Sequence, residues 1–200
     1  LAAAIGTLPL IGLSLPDSMR ELAAKSVARA LTLAPALPAA YLAKGALQFA
    51  EMRIVEAEQT TRRAVELDPG EAESRVAHSI YLGFLGRMEE AMAEAKIAVR
   101  LDPISTDGLI LVQALLLGMH RFRETIDATK AIIDLDQRNV FAYYNLAEAY
   151  VFAGQPDSAI AAMDTVFRID ARAPGARQLA MFVYAGAGRW KDAEEQRRLV

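Results

Sequence analysis

The chain has 200 residues, 54% of them hydrophobic and 24% charged, with a formal net charge of -3 and a pI near 5.5. That balance supports a packed core and argues against the basic footprint that nucleic acid or an anionic membrane surface attracts. The absence of cysteine excludes a disulfide framework, a thiolate nucleophile and a Cys-based zinc site.

The opening residues LAAAIGTLPLIGLSLP are apolar, but Gly6, Pro9, Gly12 and Pro16 break them well short of the roughly 20 residues that a membrane span requires. They also lack the basic start of a signal peptide. The chain begins at Leu1 without Met and stops at Val200 inside a helical pattern, which reads as a piece of a longer protein. Arg outnumbers Lys 17 to 5, a usage associated with high-GC bacterial genomes. Ser18-Met19-Arg20-Glu21 has capping-box spacing and predicts a helix over residues 17–33. Leu1 to Leu13 is expected to supply its partner helix, truncated and followed by a loop through Leu15 and Pro16.

From there the chain repeats. Leu33-Ala34-Pro35, Leu67-Asp68-Pro69, Leu101-Asp102-Pro103, Leu135-Asp136-Gln137 and Ile169-Asp170-Ala171 follow one another in equal steps without an insertion. The units are 38–71, 72–105, 106–139 and 140–173, preceded by a partial, irregular one over 1–37 and followed by a truncated one over 174–200. Each reads as two short amphipathic helices joined by a turn. Pro38 suits a first helical turn, where its missing N–H costs nothing. Gly45 and Ala57, then Ser79 and Ala91, then Ala147 and Ala159 place small residues where two helices approach closely. Gly86, Gly154 and Gly188 suit the left-handed residue that ends a helix. No single pair buries enough apolar surface, so stacking on neighbours is required.

The period, the small positions, the Gly turns and the LDP ends together make the chain resemble the tetratricopeptide repeat (TPR) proteins, whose helix-turn-helix unit is about 34 residues long. The resemblance implies an all-α fold, a right-handed α-solenoid of antiparallel helix pairs with about five and a half repeats in a single array over 1–200. Residues 140–173 fit its pattern best, with Tyr143, Leu146, Ala147, Tyr150, Gly154 and Ala159 in place, and Tyr184, Gly188 and Ala193 continue it. Several residues depart from it. Met52 stands where Gly is usual and predicts a poor turn. Arg75 and His78 replace a large aromatic and a Leu, while Gln113 and Thr125 occupy small positions and predict looser or shifted packing. The stretch LDPGEAESRVAHSIYLGFLGRMEEAMAEAKIAVRLDPIS, residues 67–105, resembles more narrowly the TPR region at the C-terminal end of some bacterial regulators and signalling proteins, which carry a winged-helix or Ser/Thr kinase domain upstream.

In TPR proteins the first helices of successive repeats line a groove that holds a partner. In this register the resemblance places there Ala39, Leu42, Ala43, Ala46 and Phe49, then Glu73, Val76, Ala77, Ile80 and Phe84, then Asp107, Ile110, Leu111, Ala114 and Leu117. Phe141, Tyr144, Asn145, Glu148, Val151 and Phe152 follow, with Gln178, Leu179 and Phe182 last. These positions include three acids and no Lys or Arg. Only Asn145 matches the Lys and Asn clamp of the chaperone-binding members, which argues against capture of a chaperone tail. An apolar groove with a few carboxylates suits an amphipathic helix or an extended segment with apolar anchors and some basic residues, and Phe141 and Tyr144 are the expected hot spots. The alternative is that this surface packs on the next helix or on another domain of the same protein.

Catalytic and metal chemistry is not expected. His78 reads as core-facing and His120 as a turn residue, far apart in sequence. Glu89-Glu90 and Glu194-Glu195 point different ways on their helices, and Gly186-Ala187-Gly188 lies in an interhelix turn and not after a strand. No nucleophile elbow, P-loop, HExxH or EF-hand loop is present. The expectation is therefore a non-catalytic scaffold without cofactor or metal that binds a protein or peptide. The competing readings are a sensor arm gated by a peptide or small molecule, and a self-association element acting through the uncovered helix over 189–200.

Overall fold

The computed structural model describes residues 17–199, with side chains from residue 19 onward. Among the described residues there are eleven α-helices and no strand. They are α1 (Asp17–Leu33), α2 (Pro38–Ala50), α3 (Ile54–Leu67), α4 (Ala72–Phe84), α5 (Met88–Leu101), α6 (Thr106–Gly118), α7 (Phe122–Leu135), α8 (Val140–Phe152), α9 (Pro156–Ile169), α10 (Ala176–Gly186) and α11 (Trp190–Arg198). The expected helix over residues 17–33 is α1. The partner helix expected over 1–13 and the capping box at Ser18 lie outside the described residues and side chains.

The starts of α2, α4, α6 and α8 are evenly spaced, and those of α3, α5, α7, α9 and α11 follow the same step. The reason is a turn of three residues that recurs in the same geometry. Its middle residue has positive φ at Met52 (61°), Gly86 (75°), His120 (58°), Gly154 (70°) and Gly188 (71°). The next N–H then reaches back to the preceding helix: Arg53 to the Gln48 carbonyl, Arg87 to Leu82 and Arg121 to Leu116 at 2.9 Å, Gln155 to Tyr150 and Arg189 to Tyr184 at 2.8 Å. This is the Schellman closure of a helix C-terminus. Met52 and His120 complete it without the Gly that normally relieves the Cβ penalty, so the turn expected to be poor at Met52 forms with strain instead.

The residue that closes the turn also opens the following helix. Arg53, Arg87, Arg121 and Arg189 pair with the acid three residues on, Glu56, Glu90, Glu124 and Asp192, at 2.6–3.2 Å. A hydrogen bond from its own backbone, and then Arg53, hold Glu56 below the usual carboxylate range, and Arg87 does the same for Glu90; each exposed pair contributes little stability in water. Between pairs the chain extends through an aspartate. Asp68, Asp136 and Asp170 accept from the N–H two residues ahead, at 3.0, 2.9 and 2.8 Å, which forms an Asx turn before the next helix.

The described residues pack as two compact units that divide within α6, one ending at Leu115 and the other starting at Leu116. In the first, α2 lies close on α3 because position 45 is glycine: a Cβ there would sit 2.8 Å from Thr61 Cγ2 and 3.6 Å from the Tyr81 ring. Ala57, Ala64, Ala91 and Ala95 are fully buried at the helix contacts, and the Ser79 hydroxyl donates to the Ala91 carbonyl at 2.7 Å. In the second unit, Ala147, Ala149, Ala159, Met163, Val166, Ala176, Ala180 and Val183 form the core. Gln113 and Thr125, expected to loosen the packing, are fully buried. Thr125 fits a small position because its hydroxyl donates to the Arg121 carbonyl one turn back, at 3.1 Å.

Candidate partner-binding cleft

In the first unit, α2 and α4 frame a cleft of about 240 Å³ lined by Ala39, Leu42, Ala43, Ala46, Glu73, Val76, Ala77, Ile80 and Tyr81. All but Tyr81 are among the positions expected from the sequence. Residues 39, 42, 43 and 46 form one stripe on α2 and 73, 76, 77 and 80 the facing stripe on α4, the i, i+3, i+4, i+7 spacing of a helix face. Four alanines make the room. Glu73 is the lone charged group of the lining. Tyr81 is nearly inaccessible, with its ring 5.4 Å from that of Phe49, and burial pushes its hydroxyl up to about 12. Sequence reasoning missed it because it stands one position past the expected stripe.

Beside this cleft lies a pocket of about 220 Å³ lined by Ala72, Glu73, Val76, Ala98, Asp102, Ser105, Asp107 and Gly108. Glu73 and Val76 belong to both. Gly108 lets the start of α6 pack closely on α5, because a Cβ there would meet Val99 Cγ2 at 3.1 Å. Glu73 and Asp107 are among the expected groove positions, whereas Asp102 and Ser105 read from the sequence only as a helix end.

Four expected groove residues are buried: Phe49, Ile80, Leu111 and Ala114. Leu111, 2% exposed, packs with Ser79, Ile80, Gly83, Met88, Ala114 and Leu115 around a void of about 10 Å³, so it is a core residue and not a partner contact. Phe49 is buried between the rings of Tyr81 and Phe84, the latter 4.8 Å away. Ile80 is buried too, showing only an edge to the cleft. A helix stripe wide enough to touch two neighbours keeps its inner members dry, which spacing alone does not reveal. Phe84 is exposed, and Ile110 and Leu117 are half-buried.

In the second unit the expected residues form two aromatic groups. Phe141, 65% exposed, meets Tyr144 edge-on at 5.9 Å, and the Tyr144 hydroxyl donates to the Pro174 carbonyl at 2.9 Å. Burial raises that phenol above its ordinary range. Asn145 and Glu148 are half-buried on the same helix. Phe152 is stacked on Phe122 at 5.0 Å and lies 5.8 Å from Phe182. Phe122, which the sequence reading does not single out, carries His120 edge-on at 5.6 Å. Phe152 and Phe182 remain exposed.

The departures at Arg75 and His78 also find their partners. Arg75 Nη1 donates to Glu94 Oε2 at 2.7 Å, and His78 Nε2 lies 3.2 Å from Glu58 Oε1. Arg87 donates to the same Glu58 oxygen at 3.2 Å, while His78 Nδ1 stands 4.0 Å from Glu94 Oε1. Glu58 is 4% exposed. Two residues that look misplaced on α4 are thus met by acids from α3 and α5. Among the described residues no group of three or more His, Asp or Glu has the arrangement of a metal site, and no helix is long and apolar enough to cross a membrane.

Residues 128–161 match a family model described as a tetratricopeptide repeat, a frame that runs from within α7 through α8 into the start of α9. No curated protein matches the chain. Among solved structures, the chain is similar to PilW, a widely conserved type IV pilus biogenesis factor, at 20% identity over 90% of this chain and 84% of that one, with a TM-score of 0.80. It is also similar to pilF of Pseudomonas aeruginosa, at 17% identity over 98% and 89% with a TM-score of 0.76. A third similar structure is YrrB, described as a TPR protein with an unusual peptide-binding site, at 16% identity over 85% and 88% with a TM-score of 0.67. At these identities the likeness is one of fold. Residues 128–161 thus match one tetratricopeptide repeat in sequence, and the helix pairs that recur in equal steps along the chain have the fold of a tetratricopeptide repeat solenoid.

Proposed function

We propose that this chain is a non-catalytic scaffold whose cleft between α2 and α4 holds a segment of a partner protein, or of another domain of its own protein. The observation that carries this is the composition of the cleft: small and aliphatic side chains around about 240 Å³, with one carboxylate among them. Such a surface gains free energy by covering apolar area, at about 25 cal/mol per Å². YrrB, of similar fold, is described by its peptide-binding site, which supports the reading without identifying a partner.

The test is selection of displayed random peptides on the intact chain, followed by Ala43→Trp, which fills the cleft from an exposed position. Phe152→Ala in the second unit serves as a control. Loss of binding with Ala43→Trp alone supports the reading. Failure to select any peptide, or binding untouched by Ala43→Trp, overturns it.

A second reading rests on α11, which buries none of its residues and presents Trp190 at 69% exposure: self-association of two copies through this helix. Sedimentation equilibrium decides it, because a mass independent of concentration rules it out.

A further inference from the structure

We infer that His78 is a proton-operated clasp on α4: as an imidazolium it holds α3 and α5 at once, and as a neutral ring it holds α3 alone. The side chains around it form a row that alternates in sign. Glu90 pairs with Arg87 at 2.6 Å, Arg87 with Glu58 at 3.2 Å, and Glu58 lies 3.2 Å from His78 Nε2. On the far side of the ring, His78 Nδ1 stands 4.0 Å from Glu94 Oε1, and Arg75 donates to the other oxygen of Glu94 at 2.7 Å. Glu58 comes from α3, Arg87, Glu90 and Glu94 from α5 and the turn before it, and Arg75 from α4 itself. Three carboxylates thus face two guanidinium groups, and a cation at His78 evens the charge. Imidazole is the one side-chain type in the row that ordinarily changes charge between about pH 5 and 8.

The row is broken at Nδ1. The Glu58 oxygen already accepts from Arg87, so the ring meets it with an N–H at Nε2, and a neutral imidazole is left with a bare acceptor at Nδ1. That atom is buried and has no hydrogen-bond partner among the described residues. It faces a carboxylate oxygen, which also only accepts. With His78 only 7% exposed, bulk water has little access to relieve the mismatch. A second proton turns Nδ1 into a donor opposite Glu94, and a charge-assisted bond to α5 can then close.

The other repeats show that the helices do not need an ionisable pair here. Val112, Leu146 and Ala180 stand at the position of His78, and Met92, Ile126 and Ile160 at that of Glu58. Apolar residues at these positions are indifferent to pH and avoid the desolvation cost of buried charge, so the departure at 58 and 78 adds responsiveness in place of stability. Because α4 is also a wall of the cleft, the clasp sets how firmly that wall is held, whatever the cleft contains.

The experiment is urea unfolding of the intact chain at pH 5.5 and pH 8, with protection of the α4 amides from hydrogen exchange, corrected for intrinsic rates, as a local readout. The expected result is that the ratio of folded to unfolded chain rises on acidification at least about fivefold more in the wild type than in His78→Gln. Other carboxylates contribute equally to both and cancel. Glu58→Met with His78→Val copies residues 92 and 112 of the next repeat, so this variant should fold and lack the response. Glu94→Gln should lower the response, because Nδ1–H loses its charged partner, whereas His120→Gln, at the other histidine, should keep it. A wild-type response equal to that of both His78 variants overturns the inference. So does a response that Glu94→Gln leaves intact, since the link to α5 would then be absent.

Discussion

Glu58 of α3 and His78 of α4 face each other at 3.2 Å in the interior of the first unit, and the same Glu58 oxygen accepts from Arg87 at the start of α5. One carboxylate therefore ties three consecutive helices together. His78 lies on the helix that also forms one wall of the cleft, so the network fixes the rotation of α4 beneath that wall.

A buried carboxylate left without partners is costly, and so is a buried imidazole. Glu58→Leu should destabilise the chain by about 3 kcal/mol. Glu58→Leu combined with His78→Leu should recover part of that loss, with a coupling above about 1 kcal/mol in a double-mutant cycle from urea unfolding. Strict additivity would show that the two residues do not act as a pair.

Met52 and His120 occupy the left-handed turn position at φ of 61° and 58°, where the other three turns have glycine. A Cβ in this conformation costs roughly 1–2 kcal/mol. Met52→Gly and His120→Gly should therefore each stabilise the chain by about 0.5–1 kcal/mol, the relief being partly offset by the greater freedom of glycine in the unfolded state. The reverse change, Gly154→Ala at φ of 70°, should destabilise it by about 1 kcal/mol. Thermal unfolding of the three variants checks the sign.

How much of this was legible in the sequence depends on which force set each feature. The turns and helix limits were readable because they are local: three residues, a left-handed middle position and an i, i+3 helix start recur in every copy. The cleft was readable at residues 39, 42, 43, 46, 73, 76, 77 and 80 because a helix face has a fixed period. Burial of Leu111 and Phe49 was not, since it depends on which neighbour covers the stripe. Arg75 and His78 stood out as departures three residues apart on one helix face, a signal that they share a polar environment. Their partners Glu58 and Glu94 lie 20 and 19 residues away along the chain from His78 and Arg75, in adjacent helices that no local pattern connects to them. Likewise, Asp102 looked like its counterparts at 68, 136 and 170, and only the packing of α4, α5 and the start of α6 turns it toward a pocket.

Burial pushes the Tyr81 hydroxyl from 10 up to about 12, and the linkage is that of an acid harder to ionise when folded. Below pH 10 both states carry the neutral phenol and stability does not change on its account. Between pH 10 and about 12 the unfolded state loses the proton first, so stability should fall with rising pH by an amount on the order of 3 kcal/mol. Urea unfolding at pH 9 and pH 11.5 measures it. Tyr81→Phe should remove that part of the alkaline decline, and an unchanged decline would show that Tyr81 ionises as readily folded as unfolded.

The central claim, that the cleft between α2 and α4 is the binding face, is tested most directly by amide hydrogen exchange of the intact chain with and without a saturating selected peptide. The account predicts slowed exchange across residues 38–50 and 72–84, with α8 and α10 unchanged. Protection confined to α8 and α10 around Phe141, Phe152 and Phe182, with α2 and α4 unchanged, would contradict it.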